Sequence, residues 1–77
     1  MTGAENQVAE VLLEIFVNKN LAQPRLAADT VLDQLGLESL DFAQAVIRME
    51  ELTGKDPFAN AVDYQIKTLS DLASLYA

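Results

Sequence analysis

The stretch "LGLESLDFAQAVIRMEELTGKDP", residues 35–57, decides the fold. Its spacing predicts a helix from Ser39 to about Thr53. Gly54 stands where a left-handed C-cap belongs, and Pro57 prevents the helix from resuming. The apolar residues Leu40, Phe42, Ala43, Ala45, Val46, Ile47, Met49 and Leu52 are too many for one narrow stripe. Val46, Met49 and Leu52, with Phe42 or Ala45, suit a core face. Leu40, Ala43 and Ile47 then fall together on an adjoining face, at helical neighbour spacing. A helix apolar on more than one side is either deeply buried or offers a surface to a partner. With so few neighbouring helices in a short chain, partial exposure is expected. Ser39 opens this helix, with Glu38 before it and Asp41 two residues after. It reads either as an N-cap, whose oxygen accepts a backbone N–H, or as a hydroxyl held out for a modifying enzyme.

Working outward, Thr2 and Glu5 form a Thr-x-x-Glu pair that predicts a capping box. Val8, Val11, Leu12, Ile15 and Phe16 follow at helical spacing as one apolar stripe. Glu5, Glu10 and Glu14 lie largely off that stripe and are expected to face water. "NKN" at 18–20 reads as the end, with Lys19 favourable at the negative pole of the helix. A connection runs from about Leu21 to Glu38, and Pro24 forbids a continuous helix through it. Thr30 and Asp33 form a second cap-like pair and predict a single helical turn around Val31 and Leu32. Leu21, Leu26, Val31, Leu35 and Leu37 would pin the loop to the core. "PFANAVDY" (57–64) suits a short irregular helix or turn carrying Phe58, Val62 and Tyr64 inward. Thr68 and Asp71 cap a last helix with the stripe Leu69, Leu72, Ala73 and Tyr76. No segment alternates long enough to predict a strand. The expectation is an all-α fold in a single domain, residues 1–77: three main helices, one short helix and a long ordered first loop.

Composition narrows the function. The chain has 77 residues with no cysteine and no histidine. A disulfide framework or thiolate metal site is therefore excluded, and the commonest general base and metal ligand is missing. So small a domain has little room for an enclosed catalytic centre, and the expectation is not an enzyme. No metal site is expected. Twelve acids against five bases give a formal charge of −7. Such a surface repels nucleic acid and anionic lipid, and steers toward basic partners. The N-terminal "MTGAENQVAE" has no basic region followed by an apolar stretch, and no apolar run approaches a membrane span. A cytoplasmic location is the corresponding expectation.

With these elements in order, "DTVLDQLGLESLDFAQAVIRMEELTGKDP" resembles the central segment of an acyl carrier protein. That family combines a loop ending in Leu-Gly, an Asp-Ser-Leu signature, a helix with acids near both ends, and a closing Gly. Length, acidity, the amphipathic first helix, the long loop and the final "KTLSDLASLY" agree with it along essentially the whole chain. The resemblance implies a four-helix bundle that carries 4′-phosphopantetheine as a phosphodiester on Ser39, transferred from coenzyme A by a phosphopantetheinyl transferase. It further implies an acyl group held as a thioester at the end of the arm and acted on by other enzymes. Glu38, Asp41, Glu50 and Glu51 match acidic positions that partners with basic docking surfaces meet, and Leu40, Ala43 and Ile47 match the apolar strip between them. A monomer is the family expectation.

Three positions depart from the pattern. Glu38 replaces the usual Asp, which caps a helix better. Gln44 stands at a position often acidic, and Arg48 places a positive charge within the acidic helix. A docking surface weaker in negative charge, with a specialised set of partners, is inferred. An aminoacyl or peptidyl carrier shares the fold and the arm. An unmodified helical adaptor would use the same exposed strip, and both remain open at this level. A helix-turn-helix DNA binder is contradicted by the charge.

Overall fold

The computed structural model describes residues 1–60 and 63–77. Helix α1 (Gly3–Asn18) begins with the expected capping box: the Glu5 N–H donates to Thr2 Oγ1 at 3.1 Å and the Thr2 N–H to Glu5 Oε1 at 2.7 Å. Glu5 is therefore buried rather than in water as expected, because its carboxylate is bound back onto the helix start; Glu10 and Glu14 are exposed. The Thr2 amide, and after it the nearby Ser70 hydroxyl, hold the Glu5 carboxyl below its ordinary range. Val8, Val11, Leu12, Ile15 and Phe16 are all buried, so the apolar stripe is the buried face. Asn20 ends the helix in the left-handed region at φ 58°, which Asn tolerates better than most residues. The Leu21 N–H reaches the Phe16 carbonyl at 2.9 Å and the Asn20 N–H the Val17 carbonyl at 3.0 Å, a Schellman closure.

The first loop is ordered by hydrogen bonds to the segment preceding the last helix. A single 3₁₀ turn, Leu32–Leu35, forms where the helical turn was expected, and Gly36 follows at φ 75°. Thr30 does not cap it: its hydroxyl faces backward and accepts the Ala27 N–H at 2.8 Å. The Leu32 N–H donates to the Lys67 carbonyl at 3.0 Å, and the Leu69 N–H to the Thr30 carbonyl at 2.9 Å. Val31 and Thr68 form an isolated antiparallel bridge. Leu32 is buried, and Leu26, Leu35 and Leu37 pack partly buried against the core. Leu21 does not pin the loop; consumed by the closure of α1, it stays 45% exposed.

Helix α2 (Ser39–Thr53) closes at Gly54, φ 72°, whose N–H donates to the Glu50 carbonyl at 2.8 Å. Its inward positions are Ala45 and Met49, at 1% and 0% exposure, with Phe42 partly buried beside them. Val46 is half-buried, and Leu52, in the last turn, is exposed rather than in the core. Helix α3 (Leu69–Ser74) carries its own capping box between Thr68 and Asp71, and Leu69, Leu72, Ala73 and Tyr76 are buried as expected.

Helix α1 packs against both α2 and α3, and one apolar cluster takes residues from all three helices and from Leu32. Residues 57–60 form turns and bends, so among the described residues the short extra element is the 3₁₀ turn before α2. Phe58 is half-exposed and meets Tyr64 edge to face at 5.4 Å, and the Tyr64 hydroxyl donates to the Pro57 carbonyl at 2.8 Å. Val62, expected inward, lies outside the described residues. The all-α class holds.

Candidate functional site at the start of helix α2

The left-handed Gly36 turns the chain out of the 3₁₀ turn and into α2. The N-cap is Glu38 and not Ser39, which is the first residue inside the helix. The reason is Asp41. Its Oδ2 reaches back three residues to accept the Glu38 N–H at 2.9 Å, while the Asp41 and Phe42 N–H groups go to the Glu38 carbonyl at 3.0 and 3.2 Å. With the cap position filled, the Ser39 side chain is released from capping and exposed. Among the described residues no hydrogen bond engages its hydroxyl.

Every other hydroxyl of the chain is engaged or at least half-buried. Thr2, Thr30 and Thr68 accept backbone N–H groups. Thr53 and Ser74 donate to carbonyls, as does Tyr64, and Ser70 is half-buried. The Tyr76 hydroxyl is buried. Ser39 is thus the hydroxyl that the fold leaves accessible and uncommitted. Around it, the first N–H groups of α2 lack intrahelical partners and carry the positive end of the helix dipole, a setting that favours an anion.

The four acids expected to form a docking set separate. Glu38 is exposed, and Glu51 is exposed with an Arg48 guanidinium 3.5 Å away. That surface pair is worth at most about 1 kcal/mol, but it masks part of the Glu51 charge. Asp41 is 7% exposed and ion-paired with Lys19, whose Nζ lies 2.7 Å from Oδ2. The Lys19 ammonium, and after it the Glu38 N–H, hold the Asp41 carboxyl below its ordinary range. Glu50 is half-buried; burial first, and then the facing Asp56 carboxyl, push its carboxyl up. Sequence reading missed the inward turn of both, because their partners Lys19 and Asp56 carry no local motif that announces a pairing.

The apolar strip is as expected. Leu40 and Ile47 are 67% and 56% exposed, and Ala43 is exposed between them. Beside it opens an apolar cavity of about 490 Å³, walled by Leu32, Phe42, Val46, Phe58, Ile66 and Leu72. Ala43 and Ile47 line it too, as does the single carboxylate of Asp33. Sequence reading did not find this cavity, since its walls come from four separate segments.

Residues 10–76 match a family model described as a phosphopantetheine attachment site. The chain belongs to the phosphopantetheine attachment family. The resemblance read from the sequence therefore holds, and the covalent group of the family is 4′-phosphopantetheine. The attachment domain is also similar to a solution structure of MacpD, an acyl carrier protein from Pseudomonas fluorescens involved in mupirocin biosynthesis. The TM-score is 0.81 at 34% identity, over 94% of this chain and 66% of that one. This chain thus spans just under two thirds of the length of that structure. No curated protein matches. The geometry at the start of α2 fits such an attachment: an accessible hydroxyl, unpartnered N–H groups for the phosphate, and an apolar cavity nearby. The exposed Glu38 carboxylate is free to turn away into water.

Proposed function

We propose that the chain, as a single carrier domain over residues 1–77, is an acyl carrier protein with 4′-phosphopantetheine attached at Ser39. The observation that carries this is the accessible, uncommitted Ser39 hydroxyl in a chain whose other hydroxyls are all engaged or at least half-buried. Attachment exchanges the Ser39 hydroxyl proton for the phosphopantetheinyl phosphate of coenzyme A. The new Oγ–P bond forms as the bond to the nucleotide phosphate breaks, and the nucleotide leaves with the electron pair. No histidine is present to take the proton, so the base and the metal belong to the phosphopantetheinyl transferase. The chain itself is a carrier and not an enzyme. When bound, the arm supplies a terminal thiol that holds an acyl group as a thioester.

The remaining residues divide by what the fold leaves exposed. Leu40, Ala43 and Ile47, with Glu38 and Glu51, form the docking surface for enzymes with basic faces. Charge steers the encounter and apolar contact completes it. Asp41 and Glu50 are withdrawn from that surface and act inside the fold. The apolar cavity beside Ala43 and Ile47 favours an acyl cargo over an aminoacyl one, because it offers an alkyl chain shelter from water. A monomer in the cytoplasm, where coenzyme A is the donor, fits this role.

The test is to incubate the purified protein with coenzyme A, Mg²⁺ and a promiscuous phosphopantetheinyl transferase and to read the intact mass. Gain of one phosphopantetheinyl group, absent in Ser39→Ala, is expected. A folded protein that gains nothing overturns the reading in favour of an unmodified adaptor. A gain that survives Ser39→Ala overturns the assignment of the residue.

A further inference from the structure

Lys19 stands where α1 ends, and the left-handed Asn20 with its Schellman closure fixes the backbone around it. Its ammonium crosses to the start of α2 and donates to Asp41 Oδ2 at 2.7 Å. The same oxygen accepts the Glu38 N–H at 2.9 Å. The Glu38 carbonyl, for its part, accepts from Asp41 and Phe42. Both backbone polar groups of the residue before Ser39 are therefore held, and one carboxylate oxygen joins that knot to the other helix. Ser39 has no tie of its own, so its orientation is inherited from these neighbours.

We propose that Lys19 is a positioning residue for Ser39: by gripping Asp41 it locks the Glu38–Ser39 backbone so that the hydroxyl is presented to a modifying enzyme. This rests on Ser39 being the attachment point. The physical chain is short. A charge-assisted bond between ammonium and carboxylate is among the stronger hydrogen bonds. Without the ammonium, Asp41 becomes a nearly buried carboxylate with no counter-charge, a state that costs more than turning out to water. Once it turns out, the Glu38 N–H loses its acceptor and the first turn of α2 frays. The transferase would then have to order the turn at the moment of reaction, so the loss falls on turnover and not on docking.

The experiment compares the unaltered chain with Lys19→Met and Lys19→Arg. Lys55→Met serves as a control that removes the same charge from an exposed lysine bonded to the Ala77 carbonyl. Two quantities are read: exchange of the Glu38 amide by NMR, and transfer kinetics with coenzyme A by intact mass. In Lys19→Met the Glu38 amide is expected to exchange at least about tenfold faster and kcat to fall about tenfold, with KM within about twofold. Lys19→Arg should restore most of both, and Lys55→Met should leave both unchanged. If Lys19→Met does not fold, Lys19→Gln, which keeps a donor but no charge, replaces it. Unchanged Glu38 exchange in a folded variant overturns the proposal. So does an effect confined to KM and shared by Lys55→Met, which would be long-range charge alone. If the unaltered chain is not modified at all, the attachment reading fails, while the exchange measurement still decides whether Lys19 holds this backbone.

Discussion

Replacing Tyr76 by Phe should stabilise the protein, against the usual outcome of removing a hydroxyl. Tyr76 is 4% exposed in the core, and its hydroxyl is buried with no hydrogen-bond partner among the described residues. A buried donor left unsatisfied costs about 1–3 kcal/mol, and Phe keeps the ring while removing that cost. A gain of about 1 kcal/mol would raise Tm by about 4–8 °C in a domain of this size. Circular dichroism melts and urea titrations of both chains measure it. The pH dependence supplies a second arm. Burial first, and then the nearby Glu50 and Asp56 charges, push the phenol up to about 12 from its ordinary 10.0. Because the folded state disfavours the phenolate, the native chain loses stability as pH rises from the ordinary value toward the raised one. That loss is absent in Tyr76→Phe, so the gap between the two chains should widen across this window. A lower Tm for Tyr76→Phe would refute the reasoning. It would mean that the hydroxyl is satisfied in solution and that its hydrogen bond helps to hold the chain end onto the core.

Glu50→Gln should raise Tm at neutral pH, since burial and the facing Asp56 penalise the charged Glu50 in the folded state. The raised carboxyl is penalised only while ionised. The advantage should therefore shrink as pH falls through the raised value toward 4.5, and melts at a series of pH values would show a constant difference if the cause were packing. Met49→Ala removes a fully buried side chain from the middle of α2 and should cost about 2–5 kcal/mol in urea unfolding. A cost below about 1 kcal/mol would mean that the core collapses around the gap, and that α2 is held more loosely than its burial pattern implies.

What could be read from the chain alone was whatever is local. The Thr2–Glu5 and Thr68–Asp71 boxes, the Gly54 cap and the stripe of α1 each depend on groups within one or two turns of each other. Backbone geometry brings such groups together whatever the rest of the molecule does. The absence of histidine and cysteine, the acid excess and the order of motifs around Ser39 were likewise legible, and they carried the family. The tertiary structure decided the rest. Which acids near Ser39 remain in water depended on Lys19, 22 residues from Asp41, and on where the chain after Gly54 carries Asp56. The cavity beside α2 needed walls from four segments. Even the place of Ser39, one residue inside the helix rather than at its cap, followed from Asp41, whose charged oxygen reaches back to the Glu38 N–H and fixes Glu38 as the cap. Local hydrogen-bond chemistry is written in residue spacing, whereas burial and ion pairing exist only once two faces have met.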